Sequence, residues 1–79
     1  MNEKEIFDRL LKVFSIVVNR NVDSNLINVD SKIVEDLGVN SIGLVYLAVA
    51  VEEEFDVDMS DASLESFKTV QDVINYIKE

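Results

Sequence analysis

The sequence has no cysteine, no histidine and no proline, and only two glycines among its 79 residues. Without cysteine there is no disulfide or thiolate metal site to brace the fold, so apolar packing must stabilise it. Without histidine and cysteine, the chain also lacks the commonest general base and the most nucleophilic side chain. Its two glycines form no phosphate-binding loop. We therefore expect no enzymatic activity, no catalytic residue and no metal site.

Positive charge is also scarce, since sixteen acidic residues face seven basic ones and the formal net charge is −9. Such a surface repels nucleic-acid phosphates and anionic lipids and favours basic protein partners. The longest apolar stretch, residues 42–51, is too short to span a bilayer. The N-terminus lacks the basic and apolar regions of a targeting signal. We expect a cytoplasmic monomer that binds no nucleic acid and does not insert into membranes.

A composition without proline and with little glycine favours helices. Apolar residues at helical spacing, together with capping residues, predict an all-α fold in one domain over residues 1–79. The predicted helices run from about Glu3 to Val18, from Asn40 or Ser41 to about Phe55, near Asp61 to Ser66, and from about Val70 to Ile77. Residues 19–40 form a long loop, and its apolar residues, Leu26 and Ile33 among them, predict that it packs against the helices.

The second helix is apolar on two sides. One stripe holds Leu44, Leu47, Ala48, Val51 and Phe55, and the other holds Ile42, Val45, Tyr46 and Val49, continued by Glu52 and Glu53. So short a chain has too few elements to surround this helix, which predicts that the second stripe faces solvent. The alternative is that the 19–40 loop buries it.

Ser41 stands at the predicted start of this helix. Taken alone, it reads as an N-cap whose hydroxyl accepts a backbone N–H. A phosphate ester at the same hydroxyl would lie at the positive end of the helix dipole, beside unpaired N–H groups. The residues by themselves leave both interpretations open.

A different functional hypothesis is a calcium site in the segment after the second helix. Asp56 and Asp58 would occupy the first and third positions of an EF-hand loop. That loop needs glycine at its sixth position and glutamate at its twelfth. The sequence has Asp61 and Phe67 there. We therefore expect no EF-hand.

Three segments at characteristic distances identify a resemblance to a known family. The run Asp36-Leu37-Gly38-Val39-Asn40-Ser41-Ile42 is similar to the attachment motif Asp-Leu-Gly-x-Asp-Ser-Leu. Residues 52–56, Glu-Glu-Glu-Phe-Asp, follow it, and residues 69–77 are similar to the family's last helix. On these residues the chain resembles the acyl carrier proteins.

The resemblance implies a four-helix bundle with a long loop between helices 1 and 2 and a short third helix. It implies that a separate phosphopantetheinyl transferase attaches 4′-phosphopantetheine from coenzyme A to Ser41. Acyl groups then travel as thioesters between a loading enzyme and downstream synthases or transferases. The implied partner surface consists of Asn40, Ile42, Val45, Tyr46, Val49, Glu52 and Glu53.

The chain also departs from the family pattern. Asn40 replaces the acid before the serine and Ile42 replaces the leucine after it, while Gly43 and Tyr46 stand where fatty-acid carriers commonly have acids. These changes indicate a stand-alone carrier for fatty-acid-like, polyketide or other specialised biosynthesis. An aminoacyl or peptidyl carrier of a nonribosomal-peptide-type pathway is an alternative, and an unmodified helical adaptor is another. Asn40 leaves open which transferase accepts the protein.

Overall fold

The described part of the chain folds into three α-helices and one short 3-10 turn. The structure is a computed structural model that describes residues 2–60 and 62–78. Its elements are α1 (Glu3–Val18), α2 (Ser41–Phe55), the 3-10 turn (Leu64–Ser66) and α3 (Val70–Lys78). Within these two ranges the only strand-like pairing is an isolated antiparallel bridge between Lys32 and Thr69. The predicted all-α class is confirmed.

Helix α1 begins and ends as its sequence predicts. The Asn2 side chain accepts a hydrogen bond from the Glu5 N–H at 2.8 Å, and Asn19 ends the helix in the left-handed conformation with φ 55°. The helix buries Ile6, Leu10, Val13 and Phe14, which recur at helical spacing. These side chains pack with the buried face of α2 and with Val70, Val73 and Ile74 of α3.

The long 19–40 loop packs against the helices, as predicted, although not all of its apolar residues are buried. Its buried residues are Val22, Ile27, Ile33, Leu37 and Val39. Backbone hydrogen bonds join it to the start of α3, from the Ile33 N–H to the Lys68 carbonyl and from the Val70 N–H to the Ser31 carbonyl. The expectation for Leu26 was wrong, because Leu26 is 64% exposed. The neighbouring Ile27 takes the core position, and the turn directs Leu26 outward.

The expected third helix is not an α-helix in the described part of the chain. Its predicted start, Asp61, lies outside the described residues, and the remainder contains only the 3-10 turn. Ser63 precedes this turn and makes no side-chain cap. The Ser66 hydroxyl donates to the Ser63 carbonyl, which in a longer helix would accept a backbone N–H. Met59 and Phe67, on either side of the segment, are both buried. The segment is therefore a tight connection between two core side chains.

Helix α3 starts with a reciprocal cap. The Asp72 carboxylate accepts the N–H groups of Thr69 and Lys68, each at 2.9 Å, and the Thr69 hydroxyl accepts the Asp72 N–H. The pKa of Asp72 lies below its usual 3.8, chiefly because its carboxylate accepts the Thr69 N–H. Burial raises the pKa by less than this hydrogen bond lowers it, and the Lys68 N–H lowers it further. None of the helices in the described ranges has the length and apolar character needed to cross a membrane.

Candidate functional site

The start of α2 is fixed by Asn40, which is the N-cap of the helix. Its backbone is extended, and its side-chain oxygen accepts the Gly43 N–H at 2.7 Å. The chain enters this cap through Gly38, whose φ of +76° is favourable for glycine, and through Val39, which is 2% exposed. Of the two capping residues that the sequence allowed, the structure therefore selects Asn40.

Ser41 is the first residue of α2 and is exposed to solvent. Since Asn40 provides the cap, the Ser41 hydroxyl has no hydrogen-bond partner in the described part of the chain. The interpretation of Ser41 as a capping residue is therefore wrong. Its hydroxyl is free to react without breaking a structural contact.

The first turn of α2 provides a suitable environment for a phosphate ester at this hydroxyl. The Gly43 N–H is taken by the Asn40 side chain and the Leu44 N–H by the Asn40 carbonyl. The N–H groups of Ser41 and Ile42 lack partners among residues 2–60 and 62–78, as expected for the first positions of a helix. These donors and the positive end of the helix dipole stabilise negative charge beside Ser41.

The second apolar stripe of α2 faces solvent. Ile42 is 80% exposed, Val45 55%, Tyr46 51% and Val49 45%, whereas Leu47, Val51 and Phe55 on the other side are buried. The 19–40 loop does not cover the stripe, so the alternative of full burial is wrong. Full burial of a Val or Ile side chain contributes about 1.5–3 kcal/mol, and these exposed residues forgo a large part of it. Small domains seldom expose contiguous apolar patches without a use.

The two acids that continue this stripe differ in their surroundings. Glu52 is partly buried, and its carboxylate accepts the Met59 N–H at 2.8 Å, which ties α2 to the segment that follows it. Glu53 is exposed and has no hydrogen bond or ion pair within the described residues. Asn40, the other polar residue of the expected partner surface, is exposed and already engaged as the cap. The partner-binding role of these residues stays a prediction.

Gly43 is a glycine because Val39 occupies the space beside it. A Cβ at position 43 would lie 2.9 Å from the Val39 Cγ1 atom and 3.3 Å from the Asn40 side-chain oxygen. Val39 is buried and its β-branched side chain is stiff, so it cannot move aside cheaply. Packing against Val39 therefore excludes an acidic side chain at position 43. Sequence patterning missed this role of Val39.

A partly apolar groove of about 460 Å³ lies beside the first turn of α2. It separates that turn from the 19–40 loop and the 3-10 turn. Its apolar lining comes from Leu44 of α2, Val34 of the loop, and Leu64 and Phe67 near the 3-10 turn. Ser41 and Leu44 are three residues apart and therefore neighbours on the helix surface.

The acidic segment after α2 is held by its own backbone. Asp56 ends the helix with φ 54°, and the Asp58 carboxylate accepts the Ser60 N–H at 2.9 Å, which lowers the pKa of Asp58. Over the described ranges, no three acidic side chains converge as metal ligands would. The sixth position of the EF-hand comparison, Asp61, lies outside the described residues.

Comparison with known proteins identifies relatives over nearly the whole chain. A family model described as a phosphopantetheine attachment site matches residues 8–77. An acyl carrier protein of Campylobacter lari is 42% identical over 73 residues, which cover 92% of this chain and 92% of that protein. An acyl carrier protein of Clostridium acetobutylicum is 41% identical over 68 residues, covering 85% and 88% respectively.

Proposed function

The chain belongs to the acyl carrier protein family, and from that premise we propose that Ser41 is the residue to which its 4′-phosphopantetheine arm is attached. The acyl carrier function and the 4′-phosphopantetheine group follow from the matched family model and from the relatives that bear that name. The attachment residue, the partner surface and the class of pathway go beyond these matches, and we infer them from the geometry of α2.

The observation that carries the assignment is the free, exposed hydroxyl of Ser41 at the start of α2. Asn40 caps the helix, so esterification of Ser41 disrupts no contact that holds the fold. The neighbouring free N–H groups and the helix dipole then stabilise the phosphate that the ester introduces.

The protein's own residues hold the attachment point and its surroundings, and the arm supplies the thiol that the chain lacks. Gly38 and Val39 fix the entry of the chain, Asn40 fixes the helix start, and the apolar groove beside Leu44 offers a surface for the cargo. We propose that the chain has no catalytic activity of its own, since it contains neither histidine nor cysteine. A carrier of reactive thioesters benefits from that absence of nucleophiles.

We place the partner surface on the exposed stripe of α2, at Ile42, Val45, Tyr46, Val49 and Glu53. Glu52 and Asn40 belong to its margin. The partners are a phosphopantetheinyl transferase, a loading enzyme and downstream synthases or transferases. A net charge of −9 favours basic surfaces on these enzymes, and it opposes self-association, which supports a monomer.

Helix α2 carries no acid between Ser41 and Glu52, so its exposed stripe is apolar. This apolar surface supports a carrier for a specialised acyl pathway. An aminoacyl or peptidyl cargo is the second candidate, and the enzyme that loads the protein decides between them. The proposal further includes a single carrier domain over residues 1–79 and a cytoplasmic location.

The site assignment is tested by intact-protein mass spectrometry after incubation with coenzyme A, magnesium and a broad-specificity phosphopantetheinyl transferase. Ser41→Ala is the test variant. Ser24→Ala is the matched control, because Ser24 is an exposed loop serine whose hydroxyl also has no hydrogen-bond partner among the described residues. We expect the wild type and the control to gain one phosphopantetheine and Ser41→Ala to gain none. Attachment to Ser41→Ala would refute the assignment, and no gain in any protein with several transferases would favour the unmodified adaptor.

A further inference from the structure

An exposed apolar residue of α1 lies against the apolar stripe of α2. Ile16 of α1 is 60% exposed and lines a groove between α1 and α2 with Tyr46 and Val49. Val13 and Ala50 also line this groove. Ile16 is not part of the apolar face by which α1 joins the core, so its exposure is not a consequence of core packing.

The groove is smaller than a typical small-molecule site and suits a side chain. Its volume is about 250 Å³, below the range of about 300–1,000 Å³ typical of small-molecule sites. It also continues the stripe that begins at Ile42, so a protein seated on α2 would reach it without a gap.

The charges at the rim indicate the kind of partner. Glu53 and Glu54 line the groove, and Glu54 is already paired with Arg9, whose Nε lies 2.8 Å from a carboxylate oxygen and which also donates to the Glu54 carbonyl. Glu53 has no cation within the described residues. Its carboxylate is therefore available to a lysine or arginine of a partner, whereas a second copy of this chain would present another acidic rim.

We propose that the α1–α2 groove is part of the docking surface, and that it receives an apolar side chain of the partner enzyme next to a lysine or arginine that pairs with Glu53. This inference rests on the proposed carrier function and adds a contact on α1. Enzymes that dock on both α1 and α2 would lose a contact when Ile16 is changed, whereas enzymes that recognise α2 alone would not. This difference would distinguish dedicated partner enzymes from the others.

The test uses photo-cross-linking in the organism that produces the protein. Benzoylphenylalanine replaces Ile16, Val49 or, as control, Leu26, which is equally exposed but lies in the 19–40 loop and outside this groove. We expect positions 16 and 49 to cross-link to the same enzyme and position 26 to yield no such adduct. The cross-linked peptide should contain an apolar residue beside a lysine or arginine.

A charge exchange completes the test. Glu53→Lys should lower the adduct yield about tenfold or more, within the range measured for close interfacial charge pairs, and exchanging the identified partner cation for glutamate should restore it. An adduct from position 49 but not 16, an adduct between two copies of this chain, or no recovery by the exchange would each overturn the proposal. Intact-protein mass of the same samples shows whether the phosphopantetheine arm is present. An absent arm would refute the proposed attachment at Ser41. An arm-bearing protein that forms no adduct would refute only the docking role of the α1–α2 groove.

Discussion

The side-chain oxygen of Asn40 accepts the N–H of Gly43 at 2.7 Å, and because Asn40 provides this cap, the hydroxyl of the neighbouring Ser41 has no hydrogen-bond partner among the described residues. Asparagine and aspartate are about equally good N-caps. Asn40 therefore keeps the helix start that the family's usual acid would provide, while removing a negative charge next to the proposed attachment site.

Exchanges at position 40 separate the cap from the charge. Asn40→Ala should cost about 0.5–2 kcal/mol of unfolding free energy because the Gly43 N–H loses its acceptor. Asn40→Asp should keep the stability at or above that of the wild type, since a negative charge at a helix N-terminus contributes about 0.3–1 kcal/mol. Urea unfolding measures both. Ser41→Ala is the control, and we expect it to stay within about 0.5 kcal/mol of the wild type.

The same exchange tests the effect of Asn40 on modification. We expect Asn40→Asp to raise kcat/KM with a phosphopantetheinyl transferase of fatty-acid synthesis, because it restores the acid of the family motif. Equal rates for both proteins would show that the amide does not impair recognition.

Gly43→Ala should fail to stabilise the protein, although alanine is favoured over glycine in helices by about 1 kcal/mol. The added Cβ would crowd the Val39 side chain and the capping oxygen of Asn40. In a Val39→Ala background the crowding is relieved, and Gly43→Ala should then be more favourable by about 0.5–3 kcal/mol, the usual coupling between contacting residues. Denaturant unfolding of the four proteins measures this coupling. Additive effects would mean that Val39 does not exclude a side chain at position 43.

Tyr46→Glu should make the stripe more like that of a fatty-acid carrier. Tyr46 is half exposed, so the exchange alters the surface with little effect on the core. We expect a higher rate with a fatty-acid synthase enzyme, measured with the arm-bearing protein as substrate. Leu26→Glu, which adds the same charge in the loop, is the control. If both variants gain equally, net charge and not the stripe determines recognition.

The stability of the α3 cap should depend on pH. The folded state holds the pKa of Asp72 below 3.8, so its ionised form stabilises the fold above the unfolded pKa, and that contribution is lost as the pH falls through the lowered value. Asp72→Asn keeps an acceptor but removes the charge. We expect the wild type to exceed this variant by up to about 1 kcal/mol at neutral pH and the difference to vanish in strong acid. A constant difference from neutral to acidic pH would contradict this account.

The α-helices in the described part of the chain were predictable because apolar periodicity marks their extent and capping residues mark both ends of α1 and the start of α3. Asn2, Asn19, Thr69 and Asp72 all take the local roles that their chemistry favours. The exposed stripe was also predictable, from the mismatch between an apolar helix and a chain too short to surround it. Local sequence could not predict the 3-10 turn, because it follows from core positions at Met59 and Phe67, on either side of the segment.

The details of the candidate site depend on three-dimensional packing that patterning does not encode. Asn40 and Ser41 are both suitable caps, and only the backbone geometry shows which of them turns its side chain to the Gly43 N–H. Ile16 lies outside the helical spacing of the core residues of α1, and its exposure could be predicted from the sequence on that basis. Its position beside Tyr46 and Val49 depends on how α1 crosses α2.

The central claim, that acyl groups travel on an arm at Ser41, is tested most directly by fragmentation mass spectrometry of the protein purified from the organism that makes it. The account predicts a phosphopantetheine, with its acyl cargo, on the peptide that contains Ser41, and no such group in a strain carrying Ser41→Ala. A native protein without the arm, or with the arm on another residue, would contradict it.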